Sequence, residues 1–151
     1  MKIQGEFTVD KWDEKKIGGS AEKPVSSVSA VFSVSGGLTG KLNVEYVMYF
    51  TYTDKDDPHN SKAIYTGYML FDGTINGKSG GKNTNGKPGN EKINGKSGSF
   101  AAEDKGEYTP AGPKSGLSII PGSGAGGLKS ISGKGGYGFK DGKMIIEFNL
   151  K

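Results

Sequence analysis

The chain holds one G-x-G-x-x-G match, at Gly122, Gly124 and Gly127 of "PGSGAGGLKSISGKGGYGF", directly after the apolar "GLSII". Such a loop cradles a dinucleotide's phosphates only where it leads from a strand into a helix whose first amides face them. Here it runs on through Gly133, Gly135, Gly136 and Gly138 with no helical face. The glycines are therefore assigned to turns and β-bulges, and no nucleotide cofactor is expected. "TDKDDPHNSK" gathers Asp54, Asp56, Asp57 and the lone histidine, His59. Acidic spacing of this kind can hold calcium, but the glycine and distal glutamate of an EF-hand are missing, so a polar hairpin loop without metal is expected. With one loop histidine and no cysteine, neither a Ser–His–Asp set, a thiolate nucleophile nor a thiolate metal site can be assembled.

Two further features could do chemistry. Glu45 lies inside an otherwise apolar run, between Val44 and Tyr46. Facing a closed interior, its carboxyl would have a raised pKa and could act as acid, base or polar anchor; facing outward, it would merely be solvated. Both orientations stay open. "KWDE" places Trp12, the single tryptophan, before Asp13 and Glu14, where it could plug one end of a barrel.

The elements that must carry these residues are strands. In "SSVSAVFSVS", Val28, Ala30, Phe32 and Val34 alternate with small or polar residues. "KLNVEYVMYFTYT" sets Leu42, Val44, Tyr46, Met48, Phe50 and Tyr52 on one face. The opposite face turns apolar from Val47 onward, so cover on both sides is expected there. "AIYTGYMLFDGTI" and "KMIIEFNLK" read the same way, and shorter strands fit "EFTVDKW", "GSFAAED", "GLSII" and "GGYGF". About eight strands joined by short turns predict an all-β domain, either a sandwich or an up-and-down barrel. The barrel is favoured because closure removes exposed edges.

At 151 residues the chain fits one domain. One stretch breaks the pattern: "INGKSG" occurs at Ile75–Gly80 and again at Ile93–Gly98, with almost nothing apolar between. A repeat with nothing to bury cannot build a solenoid, so residues 76–95 are expected to form an inserted, mobile Gly/Asn/Lys-rich loop. The 20 basic residues are all lysine, dispersed through turns, against 16 acidic ones. Without arginine's planar fork or a basic stripe, no nucleic-acid partner is expected. The N-terminus lacks a signal-peptide core and no run approaches membrane-spanning length, so a cytoplasmic protein without membrane contact is expected.

"FTVDKWDE", "GKLNVEYVMYF", "YTGYMLFDG", "GKSGSF" and "SIIPGSGAGGLKSISGKGGYGF" resemble, in order, the blocks of the bacterial DUF3224 family, over nearly the whole chain apart from the insert. The resemblance implies an eight-stranded antiparallel barrel of the calycin-like kind, similar to allene oxide cyclase and dirigent proteins, and often oligomeric through the barrel wall. It carries over no catalytic residue. One departure stands out: Met69 occupies the place of the glutamate in the family's G-x-E pattern after Gly67. The expectation is a homo-oligomeric barrel without catalysis, binding a small apolar or amphipathic ligand against Trp12, Tyr46, Met48, Phe50 and Tyr68. The alternative is an isomerase or cyclase of the allene oxide cyclase type, with Glu45 polarising a small apolar substrate.

Overall fold

The structure, a computed structural model, describes residues 1–76 and 95–151. The insert expected at 76–95 lies outside them, apart from its end residues Asn76 and Gly95. Nine strands form: β1 (Lys2–Gly19), β2 (Pro24–Gly36), β3 (Leu38–Tyr52), β4 (Lys62–Ile75), β5 (Lys96–Thr109), β6 (Gly112–Ile119), β7 (Ala125–Gly126), β8 (Gly133–Lys140) and β9 (Lys143–Leu150). A 3-10 turn covers Pro58–Asn60. No helix among the described residues is long and apolar enough to cross a membrane. The eight strands expected from the alternation are all present, and the ninth is the two-residue β7 inside the glycine loop.

Each of the eight long strands pairs antiparallel with the next, and β9 returns to β1, so the hydrogen bonds close into a ring. The register is staggered. Following paired residues from Ser26 through Met48, Tyr65, Gly106, Ser115, Tyr137, Ile146 and Gly5 leads back to β2 at Gly36, ten residues from the start. Closure of a tilted sheet requires such a shear.

Period-two alternation decides what the ring encloses. At the end carrying the chain termini, Leu38, Leu42, Phe71, Ile75 and Phe100 are fully buried. Phe71 packs on Phe100 with ring centres 5.2 Å apart, and Phe100 meets Phe148 edge-on at 5.5 Å. The segment between β6 and β8 folds across this end. There β7 pairs with Gly98 and Ser99, and Leu128 drops fully buried into the core. Gly124 is needed for that crossing, since a Cβ would overlap the Leu128 carbonyl. The G-x-G-x-x-G match is thus the backbone of a lid over hydrocarbon.

The opposite end carries the β1–β2, β3–β4, β5–β6 and β8–β9 connections. Here β1 runs on from Thr8 to Gly19 beyond its last pairing with β9, at Phe7. The outer face of β3, expected to be covered from Val47 onward, is bare in the isolated chain, and so is that of β4 beside it. Val47, Tyr49, Ile64, Tyr68 and Leu70 are between 41% and 58% exposed.

Candidate functional site

The interior changes character toward the hairpin end. Tyr65, Ser115 and Tyr137 fall in one layer of the stagger, and Asp104 lies one layer deeper, opposite Gly67 on β4 and Leu117 on β6. The same alternation that sends Phe100 and Ala102 inward on β5 sends Asp104 inward, while Glu103 and Lys105 face solvent. Gly106 makes room for the cluster. A Cβ there would stand 2.7 Å from the Tyr65 hydroxyl oxygen and closer still to Ser115 Oγ.

Asp104 is fully buried. The Tyr137 hydroxyl donates to its Oδ2 at 3.2 Å, whereas its Oδ1 has no hydrogen-bond partner. It takes part in no ion pair among the described residues. Burial pushes its carboxyl up to about 6, against the opposing pull of hydrogen bonds from Ser115 and Tyr137. Tyr65 Oη and Ser115 Oγ share a short hydrogen bond of 2.5 Å. Tyr46 stacks on Tyr65 with ring centres 4.6 Å apart, and Phe7 meets Tyr137 edge-on at 5.6 Å. All three tyrosines are raised above the ordinary phenol value, chiefly by burial and secondarily by nearby charge, so they serve as hydrogen-bond donors and not as bases. Asp104 is therefore the one group of the cluster that changes charge near neutral pH.

The residues singled out from the sequence are divided by this geometry. Tyr46 and Met48 face inward and are buried, and Phe50 is half-buried above them. Trp12 does not plug the end. It stands 43% exposed on the overhanging part of β1, edge-on to Tyr46 at 6.2 Å, its indole N–H donating to Glu14 at 3.2 Å. Tyr68 is a correction: it alternates with Gly67 and Met69 onto the outer face and is 58% exposed, so it cannot line the interior. Glu45 is another. It faces solvent, opposite Tyr68 on β4, and accepts a 2.6 Å hydrogen bond from the Ser29 hydroxyl. Met69, in contrast, is fully buried.

Asp104, Tyr65, Ser115 and Tyr137 escaped the sequence reading. The signal that could have found Asp104 was its parity with Phe100 and Ala102 in "GSFAAED". The acidic loop folds on itself: Asp54 accepts from the amides of Asp56 and Asp57, and Asp57 from that of His59. Among the described residues no group of three or more metal-ligating side chains converges. A shallow groove of about 710 Å³ also crosses the outer wall over β6, β8 and β9. Its floor is the backbone around Gly136 and Gly138 and its rim mixes Lys114 and Lys134 with Glu107 and Glu147, so it concentrates no single chemistry.

No curated protein matches the sequence. Among solved structures, a protein of unknown function from the DUF3224 family of Shewanella oneidensis MR-1 superposes with a TM-score of 0.68 at 20% identity. The match covers 100% of this chain and 96% of that one, and at this identity it bears on the fold alone. The family model described as "Protein of unknown function (DUF3224)" matches residues 3–87 and 89–150. Through that match, the chain belongs to the DUF3224 family, whose function is unknown.

Proposed function

We propose that the protein is a non-catalytic binding barrel of the allene oxide cyclase kind, taking a small amphipathic ligand into the hairpin end of the ring. One observation carries this reading: the buried Oδ1 of Asp104, a strong acceptor with no partner. A buried polar atom without a partner costs about 1–3 kcal/mol, and more when charged, which selection removes unless the group has a use. The route in is the aromatic mouth. Tyr46, Met48, Ser115 and Tyr137 retain 6–7% exposure, whereas Phe71, Phe100 and Phe148 have none. The overhang of β1 sets Trp12 beside this mouth.

The test uses Trp12 as the single indole reporter. Titration of the ¹⁵N-labelled protein with benzyl alcohol and with benzylamine should shift the Trp12 indole resonance saturably for at least one of them. If neither fragment moves it at millimolar concentration, the binding reading is overturned in favour of a solid structural barrel.

An isomerase would need an ionisable group inside the ring. Asp104 meets that requirement and Glu45 does not. This reading ranks second because the cluster offers a single acid–base group, its tyrosines all held in the phenol form.

We further propose that the bare band on β3 and β4 joins copies of this chain. Apolar side chains contiguous across two paired strands are an association surface. The charges beside the band are of both signs, Glu103 opposite Tyr68 and Lys105 opposite Thr66, which suits a surface that meets its own copy.

A further inference from the structure

The ligand-binding reading leaves the ligand's chemistry open, and the surroundings of Asp104 narrow it. With its carboxyl at about 6, Asp104 is mostly ionised at neutral pH, a buried charge whose neighbours are neutral hydroxyls and rings. Buried charges in proteins are paired or coordinated, because an unpaired ion costs several kcal/mol. Asp104 has no cationic partner among the described residues. Tyr137 donates to Oδ2, Ser115 adds a second neutral hydrogen-bonding pull on the carboxyl, and Oδ1 has no partner among the described residues.

The neighbours share a preference. The groups facing Asp104 are the tyrosines of β3, β4 and β8 (Tyr46, Tyr65 and Tyr137) and Ser115 on β6. Aromatic rings present negative faces that attract cations. The charges that Tyr46 and Tyr65 sense besides Asp104 are also acidic: Glu14, on the β1 overhang, acts on Tyr46, and Glu107, toward the end of β5, acts on Tyr65. Glu14 is held at the mouth by the Trp12 indole. Glu107 lies on the outer wall, but Glu14 at the mouth and Asp104 at the buried end of the cluster are both acidic, a field that draws positive charge inward.

We infer that the ligand of this site is an organic ammonium ion, a primary or secondary amine with a flat apolar body. Its N–H donates to the free Oδ1 of Asp104, and its body lies among the rings of Tyr46, Tyr65 and Trp12. No covalent step is involved. The ammonium supplies the counter-charge that the described residues leave out, and this separates an amine from a neutral alcohol of the same shape.

The experiment compares three probes of one shape at pH 7.5 on the full-length protein, following the Trp12 indole resonance and binding heat. Benzylamine should bind at least about tenfold more tightly than benzyl alcohol, as expected when a charged donor replaces a neutral one at an ionised acceptor. Benzoate should show no saturable binding. Asp104→Asn should bring benzylamine down to about the affinity that benzyl alcohol has for the same variant, erasing the preference for the ammonium. The wild-type comparison stands whether or not the variant folds. If benzyl alcohol binds as tightly as benzylamine, the ammonium inference is overturned while the binding chamber survives. If neither binds, both readings fall. If Asp104→Asn keeps full affinity for benzylamine, the amine binds elsewhere and the assignment to Asp104 is overturned.

Discussion

Asp104 sets a stability cost that can be read by titration. Its carboxyl has an ordinary pKa of 3.8 and is lifted to about 6 by burial in the folded chain. Below pH 3.8 the group is protonated in both states and costs nothing. Between pH 4 and 6 the folded chain still holds a proton that the unfolded chain has released, so the stability of the protein falls as pH rises. Above 6 the loss is complete, about 3 kcal/mol for a displacement of this size. The facing tyrosines, 46, 65 and 137, stay neutral through this window because their own values are raised, so they do not mask it. Asp104→Asn should therefore flatten the decline in stability between pH 4 and 6 and raise stability at pH 7.5 by about 1–3 kcal/mol. Urea melts of wild type and variant at pH 4.5, 6 and 7.5 read this directly. An unchanged pH slope in the variant would show that Asp104 is not the titrating group. A residue whose replacement stabilises the fold is one kept for something other than folding.

At the scale of the strands, glycines decide which side chains the interior can hold. Tyr65 on β4 and Ser115 on β6 meet across β5 only because position 106 between them carries no side chain. Gly106→Ala would force a methyl against the Tyr65 hydroxyl and Ser115 Oγ. Overpacking of this kind costs about 1–3 kcal/mol. The variant should melt earlier by that amount, and the double variant Gly106→Ala with Tyr65→Leu should recover part of the loss. No recovery would mean that the methyl strains backbone and not the hydroxyl pair. This is also the scale at which the sequence was most informative. Val28, Ala30, Phe32 and Val34 alternate cleanly, so strand and facing were legible together. The run from Asn43 to Thr51 was not. Apolar residues occupy both of its faces from Val47 onward, so parity left both orientations of Glu45 open. Asp104 was hidden for the opposite reason: it closes the short strand read at "GSFAAED" and is followed by the polar "KGE", so its parity with Phe100 and Ala102 carries no hydrophobic signal of its own. The long overhang of β1 was likewise not legible, because it depends on where the distant β9 stops pairing.

For the whole molecule, closure of the ring makes the apolar surface left outside a feature that folding alone does not call for. A sheet closed on itself has no need of a covering layer for its outer face, yet β3 and β4 carry Val47, Tyr49, Ile64, Tyr68 and Leu70 there. Scattered exposed hydrophobics are ordinary, but these share one face of two paired strands: Tyr49 pairs with Ile64, Val47 stands beside them opposite Thr66, and Tyr68 and Leu70 continue along β4 opposite Glu45 and Asn43. If a second copy covers this band, the protein should sediment as an oligomer at micromolar concentration, and Tyr68→Lys combined with Leu70→Lys should give a folded monomer. Both side chains point away from the ring interior, so the double variant should keep the β spectrum and the Trp12 response to ligand. Sedimentation velocity on the two proteins decides it. A wild type that sediments as a monomer at high micromolar concentration would sink the self-association reading and leave the band as a surface for some other partner. An oligomer that survives both lysines would place the contact elsewhere on the wall. Because the mouth beside Trp12 and the band on β3 and β4 use different residues, ligand binding and assembly should respond independently to these two sets of substitutions.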